Sequence, residues 1–394
     1  MTSMSEAINV IEHGCDGNLY CANVTLSGFL PAQPDGCPMA VSVIIQSAAI
    51  CLLDLVTIAG NGLIILSIVR FRELQTTTSA FILNLALVDL LVGVTLMPMA
   101  LITSLNQRVW VLGEAVCMVS GFVNMLFPLA SICTLSVIAI DRYCAIVKPL
   151  KYPTLMTRRR VALFLVWVWV QSFLVTSLPL TPWSRYSYDA HELLCLIDWR
   201  TSALSFAIFC LGVCILVPLA IMSFCYYHIL RVARRHSRQV QALKALSTNI
   251  ANSNRNSDLS ISYTLSETGT VDVQAQHQQH RGRYQAKRRA LRAASAEHKS
   301  TAMMLMVMGV FVLAWLPYIS GALCKSTSSE CRLPETFFTA SVLVAMLQSS
   351  LNPVIYGVMD RRFRGAMKAI VLCSSRTRAD SAVVRRRVFV TTVV

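Results

Sequence analysis

Charged residues are scarce in this chain. Asp, Glu, Lys and Arg together make up 14% of the 394 residues, whereas hydrophobic residues make up 55%. An average soluble domain carries about 25% charged residues. The composition therefore excludes an ordinary soluble domain and indicates a membrane protein.

Acidic residues are fewer than basic ones, with 20 Asp and Glu against 35 Lys and Arg and a formal net charge of +15. A charge of this size could indicate nucleic-acid binding. Here, however, the basic residues lie between and after long apolar runs, which is typical of the cytoplasmic loops of membrane proteins. No nucleic-acid partner is therefore expected.

The first 38 residues lack Lys and Arg altogether but contain acidic residues. Because basic residues concentrate on the cytoplasmic side of a membrane, this imbalance predicts an extracellular N-terminus at residues 1–38. Asn23, followed by Val24 and Thr25, is a glycosylation acceptor that suits the same side. The chain opens without a basic segment and an apolar core, so we expect no cleaved signal peptide and a first span that acts as signal anchor.

No dense disulfide framework is expected, because the 14 cysteines are scattered along the chain. The topology given below places an odd number of them outside the cell. In an oxidising compartment this leaves one cysteine free or joined to another chain. The outer cysteines are Cys15, Cys21, Cys37, Cys117, Cys195, Cys324 and Cys331.

Seven apolar stretches are long enough to cross a membrane, since a helix needs about 20 apolar residues to span roughly 30 Å of hydrocarbon. Seven crossings from an extracellular N-terminus place the C-terminus and the basic clusters in the cytoplasm, so the topology is internally consistent. The prediction is an all-α membrane protein. Its spans lie near residues 40–69, 78–104, 114–140, 161–182, 203–230, 301–323 and 335–358.

The predicted membrane domain covers residues 39–373 and contains one long loop between the fifth and sixth spans. Much of this third cytoplasmic loop, at about 236–290, is rich in Ser, Thr, Asn and Gln and has little to bury, so disorder is expected. After the seventh span, residues 360–373 combine an apolar stripe with a basic face. This pattern predicts a short amphipathic eighth helix at the membrane surface, with Cys373 as a candidate palmitoylation site.

Residues 374–394 are predicted to form a cytoplasmic tail. The tail ends in Thr391, Thr392, Val393 and Val394, which suits the groove of a PDZ protein because that groove holds an apolar terminal residue and its carboxylate. Such endings also arise by chance, so both interpretations stay open.

Several spans carry polar residues or prolines, although hydrocarbon offers polar groups no partner, and such residues are usually functional. Each one alone could merely satisfy a kinked backbone. Together they form an ordered series along the chain. The series is Gly60-Asn61, Leu85-Ala86-Leu87-Val88-Asp89, Asp141-Arg142-Tyr143, Trp169, Pro218 with Tyr226, Phe311 with Trp315-Leu316-Pro317, and Asn352-Pro353-Val354-Ile355-Tyr356.

This series resembles the rhodopsin-like (class A) G-protein-coupled receptors across nearly the whole of residues 40–373, and in particular their amine-receptor-like orphans. The resemblance implies a seven-transmembrane helix bundle that changes shape on ligand binding and promotes nucleotide exchange on a heterotrimeric G protein. It implies a receptor without covalent chemistry of its own, thus not an enzyme. Arrestin and receptor kinases are implied as further partners.

The resemblance also assigns residues to signal transmission. Arg142 matches the arginine that moves toward the G protein, and Glu297 matches the acid that holds this arginine in the inactive state. Leu150 matches an apolar residue that enters a pocket of the G protein. The residues implied in coupling and activation are Asp141, Arg142, Tyr143, Leu150, Tyr226, Glu297, Trp315, Asn352, Pro353 and Tyr356.

Two further features are implied by the resemblance alone. The first is an allosteric Na⁺, with no other cofactor expected, at Asp89, Ser131 and Asn352, whose oxygen atoms suit a hard cation. The second is a pair of disulfides. They join Cys117 to Cys195, as in most of the family, and Cys324 to Cys331, as in many amine receptors.

The expected ligand pocket departs from both amine receptors and opsins. Asn124 stands where amine receptors carry an Asp, and an amide cannot neutralise an ammonium group. Met346 stands where opsins carry the retinal-binding lysine. The sequence therefore favours a neutral or weakly polar small ligand, or activity without any. The predicted pocket residues are Asn124, Met125, Phe127, Pro128, Cys210, Cys214, Trp315, Tyr318, Ile319, Val342 and Met346.

Two polar features of the pocket allow alternatives. Pro128 cannot donate to the carbonyl of Asn124, so it either makes a simple kink or leaves a polar spot, formed by that carbonyl and the Asn124 amide, on the pocket floor. Asp54 is either a second polar group of the pocket or only a hydrogen-bonding partner of the seventh span.

The sequence thus favours a multi-pass receptor of the plasma membrane that signals through G proteins. One alternative is a ligandless partner that modulates other receptors. Another is a lipid scramblase or transporter, but transporters usually show inverted repeats, and the chain has no internal repeat.

Overall fold

The computed structural model describes residues 41–235, 301–327 and 331–372. Several predictions concern residues outside these ranges, and they stay predictions. They are the extracellular segment 1–38 with Asn23, the disordered loop at 236–290, Glu297, Cys373 and the tail at 374–394.

Within the described ranges, seven helices are long and apolar enough to cross a membrane. Their positions confirm the predicted all-α, seven-helix membrane protein. The helices are α1 (Val41–Arg70), α2 (Thr77–Leu105), α3 (Glu114–Val147), α4 (Arg158–Leu180), α5 (Leu204–Arg235), α6 (Thr301–Thr327) and α7 (Glu335–Met359).

α3 is the central helix of the bundle. In its most apolar 18-residue stretch 72% of the residues are buried, against 17% in α1. The helix also runs further than the apolar pattern predicted, because it passes Ile140 and ends only at Val147. The charged pair that follows Ile140 ends the apolar run but not the helix, since Asp141 and Arg142 bond to each other.

A short eighth helix, α8 (Arg361–Val371), follows α7 after a single residue and confirms the predicted amphipathic helix. Asp360 caps it, because its Oδ1 accepts a hydrogen bond from the Arg362 backbone N–H at 2.8 Å. Its apolar side packs inward through Phe363, which is 2% exposed and whose ring lies 5.7 Å from that of Tyr356. The helix is thus docked on α7.

α1 and α7 approach each other closely at Gly60. A Cβ atom at this position would lie 2.7 Å from Cγ of Pro353, so only glycine allows the contact. Nearby, the Thr57 and Ser350 hydroxyl groups are hydrogen-bonded to each other, with their oxygen atoms 2.7 Å apart. The polar residues of these two helices therefore bond across their interface.

A β-hairpin covers one end of the bundle, which we call the hairpin end. Its strands β1 (Tyr186–Asp189) and β2 (Leu194–Ile197) are antiparallel, with Tyr186 opposite Ile197. The hairpin packs closely on α3, because a Cβ atom on Gly121 would lie 2.6 Å from the Tyr186 ring. We call the opposite end, where Arg142 lies, the Arg142 end.

Both predicted disulfides are present in the structure. Cys117 of α3 is bonded to Cys195 of β2, with an S–S distance of 2.00 Å, so the hairpin is tied covalently to the central helix. Cys324 is bonded to Cys331, also at 2.00 Å, across the connection between α6 and α7. Each disulfide limits the movement of a segment at the hairpin end.

Candidate functional site: a cavity under the hairpin and a charged network at the opposite end

At the Arg142 end, Asp141 is fully buried and accepts hydrogen bonds from three side chains. Arg142 Nη2 donates at 2.6 Å, the Thr78 hydroxyl at 2.7 Å and the Tyr152 hydroxyl at 2.9 Å. Arg142 Nη2 also donates to the Thr78 hydroxyl oxygen. A buried carboxylate is stable only with such partners, so this network holds Arg142 in place at the side of α3.

Thr78 and Tyr152 were missed by the sequence analysis. Neither residue lies in the motif that carries Asp141, and both reach it from other segments, Thr78 from α2 and Tyr152 from the turn Tyr152–Leu155. Burial, together with the negative charge of Asp141, raises the pKa of Tyr152, so its hydroxyl remains a donor. No local pattern in the sequence indicates that Thr78 or Tyr152 contacts Asp141.

The other residues assigned to the Arg142 end lie in different surroundings. Tyr143 faces α5, with its ring 6.0 Å from both Phe224 and His228. Leu150 lies in a helical turn after α3 and is 95% exposed, which is unusual for a leucine. An apolar side chain in full contact with solvent is available to a partner.

Tyr226 and Tyr356 are both buried, at 4% and 1% exposure. Among the described residues, the Tyr356 hydroxyl has no hydrogen-bonding partner. The structure therefore brings both tyrosines into the core near the Arg142 end, but shows no direct bond between their hydroxyl groups and Arg142 in the described part of the chain.

In the middle of the bundle, Asp89 is 1% exposed and accepts a hydrogen bond from Asn352 Nδ2 at 2.7 Å. The Oδ1 atom of Asn352 is buried and has no partner among the described residues. Ser131 lines the same cavity as Asp89. A carboxylate, an unpaired amide oxygen and a hydroxyl are oxygen donors of the kind that Na⁺ takes, so these residues fit the cation.

A cavity of about 360 Å³ lies between the hairpin and Asp89, and all the predicted pocket residues line it. Its walls are mainly apolar, because aliphatic, aromatic and sulfur-containing side chains supply most of them. The hairpin also contributes to the lining, which the sequence analysis did not predict. The lining residues from the hairpin and the segment after it are Leu194, Leu196, Ile197 and Trp199.

Few polar groups reach this cavity. Asn124 Nδ2 donates to the backbone carbonyl of Cys195 at 3.4 Å, so its amide faces the hairpin. The Trp199 indole donates to the Tyr318 hydroxyl at 3.2 Å. Trp315 packs against Phe311 with ring centres 6.0 Å apart, and its Nε1 is buried without a partner in the described residues. Asp89, Ser131, Gln348 and Ser349 are the other polar residues that line the cavity, and the rest of its wall is mostly apolar.

Asp54 does not bond to α7 in the described structure, although this was one of the two alternatives. Its Oδ1 lies beside α2, 3.4 Å from the point where a Cβ of Gly93 would stand. This oxygen has no hydrogen-bonding partner among the described residues. Asp54 is also not among the residues that line the cavity, so the other alternative, a polar group of the pocket, has no support either.

A buried ion-pair cluster joins the hairpin to α6. Lys325 Nζ lies 2.8 Å from Asp189 Oδ2 and 2.6 Å from Glu192 Oε1, and its side chain is only 5% exposed. The two acids respond differently. Burial raises the pKa of Glu192 despite its lysine partner, whereas at Asp189 burial is outweighed by Lys325 and the His191 backbone N–H, and the pKa falls. The difference follows from exposure, because the Asp189 side chain is 29% exposed and that of Glu192 only 4%.

Comparison with known proteins identifies the family. The pattern described as 7 transmembrane receptor (rhodopsin family) matches residues 60–356. The chain belongs to this family. The predicted membership is thereby confirmed, and with it the class of a receptor rather than an enzyme.

Relatives of this rhodopsin-family receptor include receptors named for amines. An octopamine receptor beta-2R of Chilo suppressalis is 30% identical over 338 residues, which cover 84% of this chain and 80% of that protein. An alpha-1A adrenergic receptor of Oryzias latipes is 31% identical, with 84% and 67% covered. The chain spans 61% of the length of the octopamine receptor beta-2R of Drosophila melanogaster, to which it is 29% identical.

The solved structure of squid rhodopsin has the same fold. It aligns with a TM-score of 0.68 and 24% sequence identity, covering 92% of this chain and 96% of that one. The bundle of this rhodopsin-family receptor, including its eighth helix, is thus the fold that the resemblance implied.

Proposed function

We propose that this receptor lies in the plasma membrane, with residues 1–38 outside the cell, and transmits ligand binding or its own basal activity to a heterotrimeric G protein. The observation that carries the proposal is the position of two sites on one helix. Asn124 of α3 lies in the cavity under the hairpin, and Arg142 of the same helix lies in the charged network at the other end. A ligand and a G protein can therefore bias the same element.

Arg142 is the residue through which the receptor would contact its G protein. Its guanidinium is held by Asp141 and Thr78 and is 13% exposed, so it has to leave these partners to reach another protein. Tyr226 and Tyr356, whose side chains are buried nearby, are proposed to receive it through water. Leu150, in the turn that follows α3, supplies an exposed apolar contact at the same end of the bundle.

The ligand is proposed to be a small neutral or weakly polar molecule. Relatives carry the names of octopamine, adrenergic and histamine receptors, but Asn124 has no charge to pair with an ammonium group. A largely apolar cavity of about 360 Å³ instead rewards burial, at about 25 cal/mol per Å² of apolar surface. Trp315 lies against this cavity and could transmit the presence of a ligand to α6.

Other partners follow from the resemblance and from the tail. Arrestin and receptor kinases are proposed as regulators, and a PDZ protein as a partner of the C-terminal residues Thr391 to Val394. We further propose that Na⁺ binds at Asp89, Ser131 and Asn352. When bound, it would neutralise a buried carboxylate and stabilise one arrangement of α2, α3 and α7.

The experiment that tests this function is nucleotide exchange on purified G proteins by the receptor in nanodiscs. Arg142→Ala should abolish exchange while the receptor is still expressed at the cell surface. Arg160→Ala is the control, because within the described residues this exposed side chain bonds only to the backbone carbonyls of Thr154 and Leu155. Normal exchange by the Arg142→Ala receptor would refute the assignment.

A further inference from the structure

Leu193 combines a left-handed backbone with a buried side chain. Its φ is +62°, a region where the Cβ of an L-residue crowds the next carbonyl oxygen. The residue is nevertheless only 1% exposed. A leucine keeps such a conformation only where its surroundings fix it, so the packing of this side chain must favour the strained turn.

The Leu193 side chain lies in an apolar cluster inside the hairpin end of the bundle, next to Leu194, which is 2% exposed. Leu194 also lines the cavity. The hairpin turn therefore fills one part of the space between the helices at the hairpin end, and the cavity is the part that stays open. The remaining members of the cluster are Leu196 of β2 and five residues of α1, α2 and α7, which are Ile50, Met97, Ala100, Val342 and Met346.

Lys325 of α6 holds this turn through ion pairs. Its Nζ atom bonds at 2.8 Å to Asp189, the last residue of β1, and at 2.6 Å to Glu192, which lies within the turn. The same nitrogen lies 4.2 Å from the ring centre of Phe338 on α7. If the Lys325 ammonium group moved away, it would lose two ion pairs and a cation–π contact and leave two carboxylates unpaired. These interactions therefore hold the turn against α6 and α7.

Arg108 and Thr339 add bonds to the backbone of the turn. Arg108 Nη1 donates to the carbonyl of Ala190 at 3.2 Å, and the Thr339 hydroxyl donates to the carbonyl of His191 at 2.7 Å. Arg108 also donates to Gln46 of α1 at 3.1 Å. The turn is thus connected, directly or through Arg108, to α1, α6 and α7.

We propose that the segment Asp189–Leu194, which we call the hairpin tip, is a tethered occupant of the ligand space and is latched by Lys325. The idea rests on the proposed function, because it assumes that the cavity is the ligand site. Leu193 and Leu194 take the place of a ligand on the side of α1, α2 and α7. A diffusible ligand is therefore confined to the remaining 360 Å³ unless the latch opens.

This arrangement determines specificity by size and by polarity. A small apolar molecule fits beside the seated tip without breaking a bond. A longer ligand has to displace Leu193 and separate Lys325 from Asp189 and Glu192, which leaves buried charges unpaired. The receptor should thus select compact ligands, although its helices could enclose larger ones.

The test measures access to Cys210 and Cys214, which line the cavity. The purified receptor in nanodiscs is treated with a charged methanethiosulfonate reagent, and modification of the two thiols is followed by mass spectrometry. Leu193→Gly should accelerate modification at least tenfold. Glycine adopts φ +62° without strain, so faster modification would reflect the loss of the buried side chain and not a change in the backbone of the turn.

Lys325→Met tests the latch separately, since it keeps an apolar chain beside Phe338 but removes the charge. It should also accelerate modification at least tenfold, whereas Lys325→Arg should remain near the wild-type rate. Gln107→Gly is the matched control, because Gln107 has φ +52° at the same end of the bundle but an exposed side chain. Its rate should equal that of the wild type.

Wild-type rates in either Leu193→Gly or Lys325→Met would overturn the proposal, and so would rapid modification of the unaltered receptor. The measurement needs no G protein. If the wild-type receptor failed to promote nucleotide exchange, the proposed function would fall, while the labelling rates would still decide whether the hairpin tip occupies and closes this space.

Discussion

Asn61 of α1 donates from its side-chain Nδ2 to the backbone carbonyl of Ser349 on α7 at 3.1 Å. This carbonyl has no donor within its own helix, because Pro353, four residues further along, lacks an N–H group. A residue on one helix thus restores the hydrogen bond that a proline removes from another. The contact of Gly60 with Pro353 brings the two helices close enough for it.

We therefore predict that Asn61→Ala lowers the stability of the receptor. Hydrogen bonds between membrane helices contribute about 0.6 kcal/mol on average, and an unsatisfied buried carbonyl costs about 1–3 kcal/mol, so a loss of about 1 kcal/mol is expected. Thermal unfolding of the purified receptor measures it. Ser67→Ala is the control, since the buried Ser67 hydroxyl has no partner in the described part of the chain. Equal losses in both variants would contradict this explanation.

The sequence could predict contacts of this kind but not those of the hairpin. Each polar residue within a membrane span can be recognised in the sequence, because polar residues are rare in such spans and usually have a function. Lys325 and Glu192, by contrast, are separated by 133 residues and meet only because the hairpin folds back over the bundle. The burial of Leu193 has the same cause. Nothing in the local pattern distinguishes these residues from ordinary loop residues.

Thr78 offers a prediction at the Arg142 end. Its hydroxyl donates to Asp141 at 2.7 Å and accepts from Arg142, so it helps to hold the guanidinium against α3. Thr78→Val keeps the shape of the side chain but removes both bonds. If they contribute about 1 kcal/mol, the population with a released Arg142 should rise about fivefold. Basal nucleotide exchange at matched receptor concentration measures this rise.

Thr95→Val provides the control for that experiment. The Thr95 hydroxyl bonds to the carbonyl of Leu91 within α2, so its loss breaks no contact between helices. Its basal exchange should equal that of the wild type. Unchanged exchange in Thr78→Val as well would mean that Thr78 only satisfies the buried Asp141 and does not restrain Arg142.

Leu150 allows coupling to be separated from folding. Because the residue is 95% exposed, Leu150→Asp should change the stability of the receptor by less than about 0.5 kcal/mol. The charge should nevertheless prevent entry into an apolar pocket of the G protein and reduce exchange at least tenfold. Leu150→Met, which keeps an apolar side chain, should retain most of the activity. Full exchange by Leu150→Asp would show that this residue makes no contact.

The last prediction concerns Asn124 and amines. The Asn124 amide donates to the carbonyl of Cys195 at 3.4 Å and offers no charge to a ligand. Asn124→Asp replaces this donor by a carboxylate that faces the carbonyl oxygen, an arrangement that favours a cation between them. A charge-assisted hydrogen bond contributes about 1.5–3 kcal/mol, so the affinity for at least one protonated amine should rise about tenfold or more.

Dopamine, serotonin, histamine and noradrenaline should accordingly be poor agonists of the unmodified receptor, whereas Asn124→Asp should bind at least one of them measurably better. Asn124→Leu, similar in size but uncharged, should show no such gain and separates charge from a change in packing. Binding to the purified receptor gives the affinities directly. Strong activation of the unmodified receptor by one of these amines, lost in Asn124→Ala, would show that an amide suffices for an ammonium group. Dependence on Asp54 instead would place the counter-ion on α1, outside the cavity that Asn124 lines.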